Sequence, residues 1–359
     1  MTNDASTTSA GASSASGVTV ALVQRRHSRH RAYFLEALRD LDAVAGVALL
    51  DTDGATVDEA RNTLEPKPVR AYTSLDGLLR AETPAMAIVT LSGVEAPDAI
   101  RPVLEAHIPV LAEKPACVEP EAFARLAELS DQTKSPLMLA LYNRLSPWVP
   151  DARRIIQESG IGDLYAARVL NVADQTRIWN ARTRDWTFRK AESGGGHLIW
   201  LGIHWLDMLL YLTGATATAV QAMVGNVGGA PMDVEDLATV TLGLRGGAQA
   251  SLISGYVLDA GKQIDLTLWG SRGWLRFDMA AQTLDWHSQD ATMNGAPNRR
   301  FHYDSTGVTG SGYTPFVRDC LRASLGEIPP PITTAEGLEV LRIIFAAYRA
   351  AETGSTVQL

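Results

Sequence analysis

Two residues of this 359-residue chain have the type and the setting for proton chemistry, Lys114 and His204. Lys114 closes a short apolar stretch, HIPVLAEKP, with Glu113 before it and Pro115 after it. The proline disfavours helix at Lys114 and holds it extended, which puts its ammonium at the carboxyl end of a strand. In open α/β sheets that is where ligands bind. His204 lies in a nearly all-apolar run that follows three consecutive glycines, Gly194, Gly195 and Gly196. The run reads as a buried helix from His197 to Leu212, with Gly214 as its left-handed cap. Trp200, His204, Asp207 and Tyr211 fall at i, i+4, i+7 and i+11, so they share one face of that helix. The glycine run suggests a backbone shaped around a ligand. Gly202, which costs about 1 kcal/mol against alanine in a helix interior, suggests another backbone or a cofactor ring pressed on that spot. His204 by itself reads either as a base or as a core histidine satisfied by Asp207 or a carbonyl.

Glu113-Lys114-Pro115 followed by GGGHLIWLGIHWLD resembles the Gfo/Idh/MocA family of nicotinamide-dependent sugar and polyol oxidoreductases, with weaker support along residues 18 to 359. The resemblance implies hydride transfer between a sugar carbon and nicotinamide, with Lys114 bridging substrate and cofactor and His204 as the base. Four residues before that histidine the family carries an orienting aspartate; this chain has Trp200. An aromatic there could stack on a sugar face, and Asp207 is the candidate substitute carboxylate. Asn143 and Arg144 are similar to an Asn-Arg pair that the family places at the crossing into its second domain. Where the family has Thr-Pro-Asn and a histidine, this chain has Thr90, Leu91, Ser92 and Glu95.

The elements that would hold these residues start with VTVALV, residues 18 to 23, a buried first strand, followed by a helix from about Ser28 to Leu41. A dinucleotide-binding unit would place G-x-G-x-x-G between them. Here the loop reads QRRHSRH, with Gln24, Arg26 and Arg29 in the glycine positions. Arg25, Arg26, His27, Arg29, His30 and Arg31 are either a solvated helix opening or an anion site. In the second case arginine forks and a helix amino terminus capped by Ser28 would hold a phosphate or carboxylate. Asp51 ends the second strand, 22 residues after Arg29, close to the spacing of about 20 for the acid that binds the adenosine ribose. It reads either as that acid, which favours NAD over NADP, or as a strand-end turn residue. The candidate cofactor contacts are therefore Arg25, Arg26, Asp51, Thr90, Glu113 and Lys114.

Strands at 85 to 91, 107 to 112 and 136 to 143, with a helix at 120 to 130, complete a Rossmann-like doubly wound parallel sheet over residues 18 to 141. Residues 142 to 330 read as an α+β domain with an open, mostly antiparallel sheet, built from strands between 163 and 280. The 197 to 212 helix should cover one face of that sheet, and the resemblance makes the other a homo-oligomer face. Helices are expected at 313 to 326 and 334 to 353, the latter in a carboxyl-terminal segment from 331 to 359. The segment 177 to 192 carries Trp179, Arg182, Arg184, Trp186, Arg189 and Lys190. These could face a sugar or acidic substrate or form a subunit contact. The candidate substrate contacts are Asn143, Arg144, Trp186, Arg189, Trp200 and Asp207.

A net charge of -8 argues against a nucleic-acid or anionic-membrane surface. Cys117 and Cys320 are the two cysteines, without a CxxC or a His-rich neighbour, so neither a disulfide framework nor a metal site is expected. Residues 1 to 17 lack a basic segment and an apolar core; they read as a disordered tail and not as a signal. No run approaches the roughly 20 apolar residues of a membrane span, and a cytoplasmic location follows. The expected function is an NAD(P)-dependent oxidoreductase acting on a sugar, polyol or related hydroxy compound. A cofactor-independent lyase or hydrolase on a sugar-like acid, and a non-catalytic binding protein, are the alternatives.

Overall fold

Short β-branched and leucine-rich runs form the first sheet, buried on both faces except at one partly exposed edge strand. The strands are β1 (Val18–Val23), β2 (Val44–Leu50), β3 (Val69–Tyr72), β4 (Met86–Val89), β5 (Val110–Ala112) and β6 (Leu137–Leu139). All pair in parallel, in the order β3-β2-β1-β4-β5-β6. This is the dinucleotide-binding order, whose direction reverses between β1 and β4 and opens a crevice at the strands' carboxyl ends. The crossovers are α1 (Arg31–Asp40), α2 (Val57–Leu64), α3 (Leu75–Ala81), α4 (Ala96–Glu105) and α5 (Pro120–Thr133). Gln24, Asp51, Thr90 and Glu113 each follow the last residue of β1, β2, β4 and β5, so chain topology alone collects them along one edge. The computed structural model describes residues 17–174, 186–228, 232–290, 298–303 and 312–359. The amino-terminal tail up to residue 16, and Trp179, Arg182 and Arg184, lie outside the described residues.

After a 3-10 turn (Tyr142–Leu145) and α6 (Val149–Gln157), the chain enters a second sheet. Its strands are β7 (Leu164–Ala173), β8 (Ala217–Gly225), β9 (Leu237–Leu244), β10 (Gln249–Gly255), β11 (Lys262–Gly270), β12 (Gly273–Asp278), β13 (Thr283–Ser288), β14 (Asn298–His302) and β15 (Val357–Gln358). The order is β14-β13-β12-β11-β7-β10-β9-β8-β15; only β7 and β10 run parallel. The mostly antiparallel sheet is thus present, and it continues past residue 280, where the sequence reading stopped. One face packs on helices through Val220, Val240, Leu252, Val169 and Leu266, all at most 3% exposed.

Between the sheets run a short helix α7 (Lys190–Ser193), a π-helical turn (Leu198–Gly202) and α8 (Ile203–Thr213), which Gly214 ends at φ 65° as the sequence suggests. The expected single helix is therefore interrupted. Gly202 ends the π-helical turn, and a Cβ there would sit 2.5 Å from the Ser254 hydroxyl of β10. Helix α9 (Tyr313–Ser324) packs on α1, and α10 (Thr334–Thr353), with a Thr333/Glu336 capping box, packs on α5 and β6 on one side and β8 on the other. Among the described residues no helix is long and apolar enough to cross a membrane.

Candidate active site

Lys114 follows β5 at the crevice and is 1% exposed. Its Nζ donates to the carbonyl oxygen of Trp200 at 2.6 Å and lies 4.2 Å from the centre of the Trp200 ring. Glu113 Oε1 is 3.9 Å away. Burial pulls the ammonium down to about 8, against the opposing charge of Glu113 and helped by that of Arg29. A lysine so placed exchanges its proton near neutral pH, unlike an exposed one.

His204 sits one turn beyond Trp200, 6% exposed, with its ring edge-on to Tyr142 at 5.4 Å. Burial, then the nearby ammonium of Lys114 and the side chain of His30, hold the imidazole well below its ordinary range. It is neutral, and its Nδ1 has no hydrogen-bond partner. The one-face spacing is borne out by contacts. Trp200 meets Lys114, His204 meets Tyr142, and Asp207 and Tyr211 meet Arg144. Lys114 and His204 thus come together, in a dry environment where charge is costly unless a substrate group compensates it.

Other candidates have different duties. Asp207 does not orient His204. Its oxygens accept from Arg144 Nε at 3.0 Å and Nη2 at 2.6 Å, while Arg144 Nη1 reaches Glu336 and the Pro331 carbonyl. With both side chains at most 3% exposed, the pair ties α8 to the crossing segment and to the start of α10; breaking one partner would cost about 3–5 kcal/mol. Neither residue has spare capacity for substrate. Asn143, just before Arg144, is half-buried. Thr90 is fully buried and donates to the Val23 carbonyl, pinning β4 to β1.

The glycine run also serves the protein and not a ligand. A Cβ on Gly195 would lie 2.2 Å from the Tyr348 hydroxyl, and one on Gly196 would lie 1.9 Å from the Glu235 carbonyl. Glu235, which the sequence reading passed over, accepts from Gly196 N at 2.6 Å, Leu198 N at 2.9 Å and Tyr348 Oη at 2.9 Å. It fixes the turn that presents Trp200. An acidic residue just before a strand offers no signal of that role.

A cleft of about 700 Å³ is lined by Arg25, Arg26, Arg29, Arg31, Trp186 and Arg189 among others, and Trp186 connects it to Trp200 and so to Lys114. Ser28 does not cap α1 as expected. Its Oγ accepts from Arg25 N at 2.8 Å, and His30, at φ 56°, is the N-cap. Positive φ is absent from Gln24, Arg26 and Arg29, so this loop does not need the glycine conformation. Arg25 donates to Thr52 and lies 3.5 Å from Glu95. Gln24 Nε2 donates to Thr56 Oγ1, and Thr56 N and Oγ1 both donate to Asp51 Oδ2, each at 2.7 Å. Asp51 Oδ1 and Gln24 Oε1 remain buried without partners. An unpaired acceptor at the end of β2, beside a cleft walled by guanidinium groups, fits a dinucleotide whose ribose donates to Asp51 and whose phosphates meet arginines. Trp186 is edge-on to Trp200 at 5.2 Å and donates to the His27 carbonyl at 2.9 Å. Arg29 donates to Thr187, and Arg189 forks onto Glu192. The segment after residue 185 thereby clasps the α1 loop.

Residues 23–141 match a family model described as an oxidoreductase family with an NAD-binding Rossmann fold, and residues 149–276 match the GFO/IDH/MocA C-terminal domain. The chain is 27% identical to the trans-1,2-dihydrobenzene-1,2-diol dehydrogenase of Mus musculus over 293 residues, 78% of this chain and 81% of that protein. It is 25% identical to the rhizopine catabolism protein MocA of Rhizobium meliloti over 194 residues, covering 52% of this chain and 58% of that protein. Among solved structures, the WlbA dehydrogenase from Bordetella pertussis, in complex with NADH and UDP-GlcNAcA, superimposes with a TM-score of 0.83 at 20% identity over 96% of this chain and 98% of that one. GenD2 from gentamicin A biosynthesis, in complex with NAD, gives 0.80 at 21% identity over 99% of both. At those identities the structural likeness is one of fold.

Proposed function

Because the chain belongs to the GFO/IDH/MocA oxidoreductase family, with an NAD-binding Rossmann fold, we propose that it interconverts a secondary alcohol and a ketone on a sugar, polyol or cyclic diol, using NAD(H) in preference to NADP(H). The observation that carries this reading is the burial of Lys114 under Trp200, near a neutral His204, with Trp200 in turn against Trp186 of the arginine-walled cleft. The dinucleotide, when bound, accepts or supplies the hydride. The chain's residues manage the proton and the charge. A deprotonated Lys114 takes the proton of the substrate hydroxyl, and the resulting ammonium offsets the oxyanion character that develops there. Neutral His204 holds the same oxygen by a hydrogen bond from its ring, and Trp200 keeps water from Lys114 and offers an apolar wall for a sugar face. Asn143, Trp186 and Arg189 supply the remaining substrate contacts. Asp51 takes the ribose hydroxyls, and its negative charge disfavours a 2′-phosphate. Arg25 and Arg26 serve the pyrophosphate in place of the missing glycines. The exposed face of the second sheet is the proposed contact between copies of the chain.

The reading is tested by titrating the purified protein with NADH and NADPH, following nicotinamide fluorescence and calorimetric heat. Saturable NADH binding, weakened at least about tenfold by Asp51→Ala, a loss in the range for one hydrogen bond to a charged group, is the expected result. Absence of binding at millimolar cofactor would remove the oxidoreductase reading. Substrate class follows from turnover with inositols, aldoses, uronic acids and cyclic diols.

A further inference from the structure

A buried lysine that takes a proton must return it to water. Lys114 is 1% exposed, and Trp200 covers it with both carbonyl and ring. On its other side lies Glu113, 2% exposed, whose carboxylate has no aligned hydrogen-bond donor. A buried carboxylate left in that condition is costly and calls for a purpose. Its Oε1 stands between two nitrogens, Lys114 Nζ at 3.9 Å and His30 Nδ1 at 3.2 Å.

His30 is the member of this row that reaches solvent, with 31% of its side chain exposed. Its backbone at φ 56° is unusual for a residue with a side chain. The ring is held between Tyr33 at 5.8 Å and Tyr313 at 5.7 Å, and is not among the residues that line the arginine cleft. The groups that face the row are Tyr33 from α1, Arg29 from the loop before it, Tyr142 from the crossing segment, His204 from α8 and Tyr313 from α9. Burial and the Glu113 charge keep the Tyr313 hydroxyl protonated, well above its ordinary value, so it faces the carboxylate as a donor and cannot take a proton from it.

We propose that Glu113 and His30 form a proton port connecting Lys114 to solvent on the α9 side of the molecule, separate from the cleft that the cofactor would fill. It rests on the assignment of Lys114 as the group that takes the substrate proton. The ammonium leaves the Trp200 carbonyl and turns to Glu113. A Nζ–H bond breaks and an Oε1–H bond forms; that bond then breaks as Nδ1–H forms on the neutral imidazole, and Nε2 releases its own proton to water. Each step moves one proton, with no oxidant or reductant. Glu113 and His30 act through Lys114, and they are positioning and relay groups. The exit supplies what the family's missing orienting carboxylate cannot, a charged path from the reacting centre.

The port is tested without substrate or cofactor, by the exchange of lysine amino protons with water in protein labelled with ¹⁵N-lysine. The chain has five lysines, and a Lys114→Arg sample assigns the buried one. His30→Phe keeps a ring between Tyr33 and Tyr313 but has no nitrogen; Lys114 exchange should slow at least about tenfold, the low end for losing a positioned proton-transfer group. Glu113→Gln should slow it similarly. His30→Gly suits the positive φ and leaves a hole, and added imidazole should restore its exchange while N-methylpyrrole, similar in shape but without a free nitrogen, should not. Unchanged exchange in His30→Phe and Glu113→Gln overturns the port. Slowing in His30→Phe that imidazole fails to relieve in His30→Gly also overturns it, since the effect would then be structural. Because no cofactor is present, a positive result stands even if the NADH titration fails, and a negative one leaves the oxidoreductase reading intact.

Discussion

Lys114 is where pH and stability meet in this chain. Its ammonium has an ordinary value of 10.5 when exposed and about 8 in the fold. Below pH 8 both folded and unfolded states carry the proton, and the penalty for burying the charge is present in full. Between about 8 and 10.5 the unfolded state binds more protons, so this residue's contribution makes stability rise with pH across that window. Lys114→Met should therefore stabilise the protein at neutral pH by about 3 kcal/mol and flatten the alkaline rise. Urea unfolding of both proteins at a series of pH values checks this; a variant less stable at neutral pH would mean that the lysine's contacts outweigh its desolvation. Lys114 and His204 were legible in the sequence because a proline and an amphipathic spacing mark them locally. Asp207 was misread for the converse reason. Its partner Arg144 lies 63 positions upstream, and nothing local announces a bidentate pair that only the meeting of two segments creates. His30 was visible merely as one charge among six, since the Glu113 beside it comes from another strand.

The connector between the sheets shows what a pattern can and cannot disclose. Helical spacing correctly put Trp200, His204, Asp207 and Tyr211 on one side, and Gly214 correctly ended the helix. The π-helical turn was not legible, and neither was the close approach of β10 at Gly202, since no periodicity encodes either. The glycine triplet was legible as crowding, but what crowds it is Glu235 and Tyr348. Gly196→Ala should accordingly destabilise by about 1–3 kcal/mol, the usual range for overpacking, since its Cβ would meet a backbone oxygen at 1.9 Å that cannot rotate away. Thermal unfolding measures the loss, and an unchanged midpoint would show that the turn can shift freely. The strand ends that carry Gln24, Asp51 and Glu113 were readable from hydrophobic runs alone. The helices α2, α3 and α4 were not read from the sequence: α2 and α3 are only eight and seven residues long, and α4 carries Pro102 in its interior.

At the scale of the molecule, the second sheet turns one face away from its helices. Met223, Ile253 and Trp269 are 80%, 38% and 40% exposed on β8, β10 and β11; Met223 and Ile253 are in register through Thr239 of β9, and Trp269 lies four residues further along β11. If copies associate through this face, Ile253→Glu combined with Met223→Glu should lower the mass seen in sedimentation equilibrium without altering NADH affinity; an unchanged mass places the contact elsewhere. The two sheets are joined again by α10, which packs on β6 and α5 and on β8 and follows nearly all of both in sequence. During synthesis, then, each sheet can assemble as it leaves the ribosome, but the seam between them must wait for the final helix. A nascent chain halted before residue 334 would hold an Arg144 that lacks Glu336 and a Glu235 that lacks Tyr348, so the groups that brace the crevice reach their places only in the last moments of translation.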